Sequence, residues 1–115
     1  MLIKRVRFVL LKMFKKVYLR RNKVSSNWLR ERTLEMQLFD AKWYLRKYPE
    51  IAEYFEESNA FEHFIEYGIT ERRAPSEKFD PEWYWNSNSD LHVHNLNPIT
   101  HYLKYGAAEK RLPLP

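Results

Sequence analysis

Between Met1 and Lys23 the apolar residues gather on one side of a helix. With a turn of about 100° per residue, Ile3, Val6, Val9, Leu10, Met13, Phe14 and Val17 share a broad face. Lys4, Arg5, Lys12, Lys15, Lys16 and Lys23 fall opposite, while Arg7 and Arg21 intrude on the apolar side and Phe8 and Leu19 on the basic one. The pattern predicts a basic amphipathic helix over 1–23. From 24 to 38, Ser25, Ser26 and Asn27 offer N-caps, and Trp28, Leu29, Leu34 and Leu38 alternate with charges. This predicts a second, connecting helix, either a spacer or a cap over the open end of the segment beginning at Phe39.

Past residue 38 the pattern doubles. Phe39-Asp40-Ala41-Lys42-Trp43-Tyr44 returns forty residues later as Phe79-Asp80-Pro81-Glu82-Trp83-Tyr84. The stretch from Asn59 to Gly68, with His63 inside it, returns at an offset of 38 as Asn97 to Gly106, with His101 in the same place. Glu71, Arg73 and Pro75 then match Glu109, Arg111 and Pro113. Ordered matches of this kind point to an internal duplication, 39–78 and 79–115.

Each copy holds two helix starts. Asp40 and Asp80 stand as N-caps, and Pro81 takes a first helical position, where its missing N–H costs nothing. Phe39 with Tyr44, and Phe79 with Tyr84, have the spacing of a hydrophobic staple. Asn59 and Asn97 are read as caps of the second helix, Glu62 as the partner of Asn59 in a capping box, and Pro98 as a first residue. Phe61, Phe64 and Ile65 recur as Ile99, Tyr102 and Leu103, an i, i+3, i+4 stripe that reads as a buried face. Gly68 and Gly106 are expected to end these helices in the left-handed conformation. Tyr48-Pro49 breaks the first copy, with a short turn over Ile51 to Phe55, and a polar connection replaces it in the second. The expected fold is all-α, two tandem helical hairpins stacked side by side. Trp43 and Trp83 are expected in its core, each costing about 3–5 kcal/mol on truncation to alanine.

Composition narrows the chemistry. The 115 residues include four Trp, eight Tyr and seven Phe, an efficient way to build a core in a small domain. The absence of Cys removes disulfides, thiolate metal sites and thiol nucleophiles, and two Gly cannot build a phosphate-cradling loop. The net charge of +5 conceals an asymmetry: residues 1–38 carry eleven Lys or Arg against two Glu, while 39–115 carry nine against thirteen acids. The longest uncharged run of the leader, Phe8 to Leu11, is far short of the ~20 apolar residues that span a bilayer. A helix with one basic and one aromatic-aliphatic face suits an anionic membrane surface, each Lys or Arg contributing about 1 kcal/mol. Docking on protein, or the phosphates of a nucleic acid, are the other occupants of such a face.

The order Phe-Asp-x-x-Trp-Tyr-Leu, Tyr-Pro-Glu-Ile-Ala, Asn-x-x-x-His-Phe-Ile-x-Tyr-Gly, Glu-Arg-Arg-x-Pro-Ser resembles a short repeat attached to bacterial glycosyltransferases of cell-surface polysaccharide assembly, the rhamnan-synthesis type among them. Residues 39–115 carry the likeness, the first copy more fully. Repeats of that kind often read Glu-Gly-Arg where this chain has Glu71-Arg72-Arg73 and Glu109-Lys110-Arg111. The resemblance implies an accessory module rather than an activity. The expected partners are a glycosyltransferase or another polysaccharide-assembly protein, the inner face of the cytoplasmic membrane, and a second copy through the repeat ends. Whether the chain stands alone or belongs to a longer transferase stays open.

Candidate chemistry is thin. The chain has three Asp and no Asp-x-Asp pair for a metal-bound nucleotide sugar, so neither cofactor nor catalysis is expected. His63 and His101 recur at equivalent places, which favours a structural role over a metal, and His92-x-His94 lacks a third ligand. Glu56 with Glu57, and Glu62 with Glu66, read as solvated helix faces rather than acid–base pairs. Arg72-Arg73 and Lys110-Arg111 follow helix ends, where positive charge complements the dipole. Trp85, which replaces Leu45, is the candidate exposed platform for a sugar ring.

Overall fold

The computed structural model describes residues 25–115, so the leader predicted over 1–23 and its membrane-facing residues lie outside the described residues. The described residues are all-α, with no strand among them. Helix α1, Ser26–Glu35, begins where the Ser25 hydroxyl accepts from the Trp28 amide at 3.1 Å. Leu29 and Thr33, one turn apart, are its buried residues, and the Thr33 hydroxyl donates back to the Leu29 carbonyl at 2.6 Å. The helix neither trails off as a spacer nor covers one end only. It packs against the second helix of both following segments, with Arg30 paired to Glu62 and Arg32 Nε donating to the Leu103 carbonyl.

The segment 39–78 runs as α2 (Ala41–Lys47), α3 (Pro49–Ala52) and α4 (Ala60–His63), the last continuing into a π-helical turn, π1 (Phe64–Gly68). The segment 79–115 runs as α5 (Pro81–Ser87), α6 (Asp90–Val93) and α7 (Pro98–His101), continuing into π2 (Tyr102–Gly106). Asp40 and Asp80 cap α2 and α5, each carboxylate accepting from a Trp amide at 3.0 Å. Across each cap the staple closes, with Phe39 and Tyr44 rings 5.2 Å apart and Phe79 and Tyr84 rings 5.3 Å apart. The Asp40 amide donates to the Pro75 carbonyl and the Asp80 amide to Pro113, both at 3.1 Å, so each segment's tail is tied to its own beginning.

The polar middle of the second segment keeps the helical turn that its sequence concealed. Leu91 on α6 is fully buried at the place of Ile51 on α3. Asn97 caps α7 as expected, accepting from the Ile99 and Thr100 amides. Asn59 does not cap α4. Its side chain instead accepts from the Glu56 amide at 2.7 Å, closing the preceding turn, and Glu62 turns away to Arg30, so the capping box is absent.

Gly68 and Gly106 require a second correction. Neither has a positive φ. They end the π turns because a tyrosine hydroxyl lies against them: a Cβ at Gly68 would meet Tyr44 Oη at 2.5 Å, and one at Gly106 would clash with the Tyr84 hydroxyl. The left-handed residues come four positions later, at Arg72 (φ 58) and Lys110 (φ 60), with Gln37 and Asn95 ending α1 and α6 in the same way. At each, the following amide reaches back five residues, as Arg73 to Gly68 and Arg111 to Gly106, which is the Schellman closure.

A third correction concerns the tryptophans. Tyr44 and Tyr84 are fully buried, whereas Trp43 and Trp83 are only partly buried at the margin. The staple explains the choice, since a residue touching Phe39 must face inward, and its neighbour is turned about 100° away. Truncating Trp43 or Trp83 should therefore cost well under the ~3–5 kcal/mol of a buried aromatic.

Two glycine exchanges should move stability in opposite directions. Gly68→Ala forces a methyl onto a buried tyrosine and should cost about 1–3 kcal/mol by overpacking. Lys110→Gly relieves a left-handed residue and should stabilise by up to about 1 kcal/mol. Denaturant midpoints of the two variants check this. A neutral Gly68→Ala would mean that Tyr44 withdraws without cost.

Candidate functional site

The repeated chemistry meets in two equivalent places. Tyr44 Oη lies 2.8 Å from His63 Nδ1, and Tyr84 Oη lies 2.8 Å from His101 Nδ1, all four side chains being buried. Burial pushes the Tyr84 hydroxyl up to about 12 and Tyr44 higher still, so each stays protonated, and the imidazole tautomer sets the direction of its hydrogen bond. The second ring nitrogen of His63 lies 4.0 Å from Glu71 Oε1, beyond hydrogen-bonding distance. Burial first and the Arg73 charge second push His63 down to about 4, and the same two causes in that order, with Arg111 as the charge, lower His101. The neutral His63 ring packs against Phe55 and Tyr67.

Beside each pair sits a clamp whose arginine has, in the sequence, the look of helix-end charge alone. The Arg73 guanidinium bonds Glu50 at 2.5 Å and Glu71 at 3.0 Å and lies over the Tyr48 ring at 4.7 Å. Arg111 repeats this with Asp90 at 2.8 Å and Glu109 at 3.1 Å. Where Tyr48 becomes Asn88, Arg111 exchanges the ring for a 2.9 Å hydrogen bond to the amide oxygen. The clamps hold Glu50 and Asp90 below the usual carboxylate range. Their signal in the sequence is the similar spacing from Glu50 to Arg73 and from Asp90 to Arg111, visible only once the two copies are aligned through the unlike connections.

Trp85 is not a free platform. The Arg72 guanidinium lies 4.2 Å from its ring centre, and the His92 ring 4.2 Å away, with His92 Nε2 also 2.8 Å from the Trp85 carbonyl. Arg72 thus spends its charge across the junction between the segments. Trp43 lines an open groove of about 430 Å³ between them, with Lys47, Tyr48 and Arg72 on one side and Asp80 and Glu82 on the other. Glu56, Glu57 and Glu62 stay on the surface, Glu62 paired with Arg30. Among the described residues no three His, Asp or Glu side chains converge as a metal site. No family model, no curated protein and no solved structure matches the chain.

The histidines make stability depend on pH. Their folded pKa lies below the unfolded value of about 6.5, so below pH 6.5 the unfolded chain takes up protons that the folded chain refuses. Stability should fall as pH drops from 6.5 toward 4, by up to about 3 kcal/mol for His63. Glu50 and Asp90 add their loss from the ordinary carboxylate range downward, as pH falls through their lowered folded values. Urea midpoints between pH 7 and 5 should decline, and less steeply in His63→Gln. A flat profile would mean that His63 is protonated in place.

Proposed function

We propose that this protein is a non-catalytic accessory module of bacterial surface-polysaccharide synthesis. Its two tandem helical hairpins form a rigid platform, and its basic leader holds that platform at the inner face of the cytoplasmic membrane. The glycosyltransferase it serves is either a separate protein or the remainder of a longer chain. One observation carries the non-catalytic reading. The side chains capable of chemistry are the ones that recur, and in both segments they are consumed by internal contacts. His63 and His101 hold tyrosines, Arg73 and Arg111 hold carboxylates, and a set repeated at two sites serves the repeat rather than a substrate.

The membrane role rests on the leader's +9 neighbourhood and on its apolar face. Among the described residues no helix is long and apolar enough to cross a membrane. The acidic balance of 39–115 leaves the platform itself repelled by an anionic surface and available to a protein partner.

The whole chain should sediment with anionic liposomes, and a chain beginning at Ser25 should not. High salt should weaken binding without abolishing it, since salt screens the charges and leaves the apolar face. Equal sedimentation of the two chains, or preference of the whole chain for duplex DNA over liposomes, would refute the anchor. Crosslinking in the membrane fraction should recover a polysaccharide-assembly protein, and the pure chain should transfer no sugar.

A further inference from the structure

The two segments meet through a surface pair that each end of the molecule offers again. Inside the chain, Asn97 Nδ2 donates 2.8 Å to the Ile69 carbonyl, and Ala74 is sealed at 9% exposure. The matching positions in the second segment, at the offset of 38, are Ala107 and Leu112. Ala107 accepts the same turn bond from Lys110 that Ile69 accepts from Arg72. Leu112, in contrast, is 65% exposed. Terminal repeats of a stacked array ordinarily turn a polar face outward. Here the change runs the other way, from a buried alanine to an exposed leucine, and Val93 on α6, in the place of Glu53, is exposed as well.

At the other end, the residues that the second segment buries are uncovered in the first. Phe79 and Ile99 are sealed at 1% and 0%, while Phe39 and Phe61 are partly exposed and line an open groove of about 660 Å³. The end of α1 completes that groove with Leu34, itself 59% exposed. Asp40, Glu57 and Glu77 rim it, and Lys78 is turned to the Gln37 carbonyl. The second segment carries Lys104 and Lys110 on its surface, with Glu109 and Asp90 paired to Arg111. Hydrophobicity and the equivalence of positions in the two segments therefore agree on one occupant.

We propose that the chain associates head to tail with a second copy of itself, Leu112 of one molecule seating in the Leu34–Phe39–Phe61 groove of the next. The contact continues the junction between the segments and rests on their being repeats, but not on the membrane or glycosyltransferase roles. Such a contact is heterologous, so an open dimer keeps a free groove and a free Leu112, and molecules add until a ring closes or a filament grows.

Sedimentation equilibrium of the whole chain at high salt tests this. The average mass should rise with concentration from 14.2 kDa past the dimer. Leu34→Glu and Leu112→Glu alter exposed residues at opposite ends, and each alone should stay monomeric with an unchanged melting temperature. An equimolar mixture should form dimers and nothing larger, because one variant keeps its tail and the other its groove. Leu34→Gln and Leu112→Gln serve as the milder pair if melting shifts. A wild-type mass that stays monomeric, or stops at the dimer, would overturn the proposal. So would a variant mixture no heavier than its parts. Either result leaves liposome binding, and the accessory role, untouched.

Discussion

A tyrosine hydroxyl buried to zero exposure must find a partner or cost the fold about 1–3 kcal/mol. In each segment the whole arrangement follows from that need. Tyr44 reaches His63 and Tyr84 reaches His101 across the hairpin, and both hydroxyls stand where the helix backbone passes. The helix makes way twice over. It carries glycine at the point of contact, and its ladder widens to a π turn that ends at the same glycine, closed by Ile69 to Phe64 and by Ala107 to Tyr102 at 3.0 Å. A π turn inserted in an α-helix is a local sacrifice of bond geometry. Here it coincides with the closest approach between helices.

The arginine clamps complete the closure from the other side. Each ties the residues after the π turn to the short middle helix, so that the two cannot separate without breaking paired arginine–carboxylate bonds. The two clamps are chemically unequal and geometrically alike. Glu50 becomes Asp90 and the Tyr48 ring becomes the Asn88 amide, yet Arg111 still makes paired bonds to a carboxylate. A shorter acid with an added hydrogen bond replaces a longer acid with a stacked ring. The remodelled connection of the second segment has kept its mechanical role while losing its sequence likeness.

What was legible in the sequence was local. Asp40, Asp80 and Asn97 act within three residues of themselves, Pro81 and Pro98 within one, and the staples within five, so spacing alone exposes them. Asn59 failed because two local acceptor roles competed and the Glu56 amide won. Gly68 and Gly106 failed for a different reason. A helix-ending glycine is ordinarily explained by φ, whereas the reason here lies on a tyrosine more than twenty residues away. The left-handed turns at Arg72 and Lys110 carry no glycine to announce them. Tryptophan outranked tyrosine as a core residue by size. The staple was the better guide, because it fixes which face of the helix looks inward.

Helix α1 packs on both of the segments that follow it. Leu29 and Thr33 seal its inner face, while Arg30 holds Glu62 of the first segment and Arg32 holds the Leu103 carbonyl of the second. These two arginines lie a short step apart on one helix and reach α4 in one segment and π2 in the other. Their junction is thereby fixed from a third side, beyond the Asn97 bond and the Arg72–Trp85 stack. The Trp43 groove and the exposed Leu112 lie on surfaces that α1 does not cover.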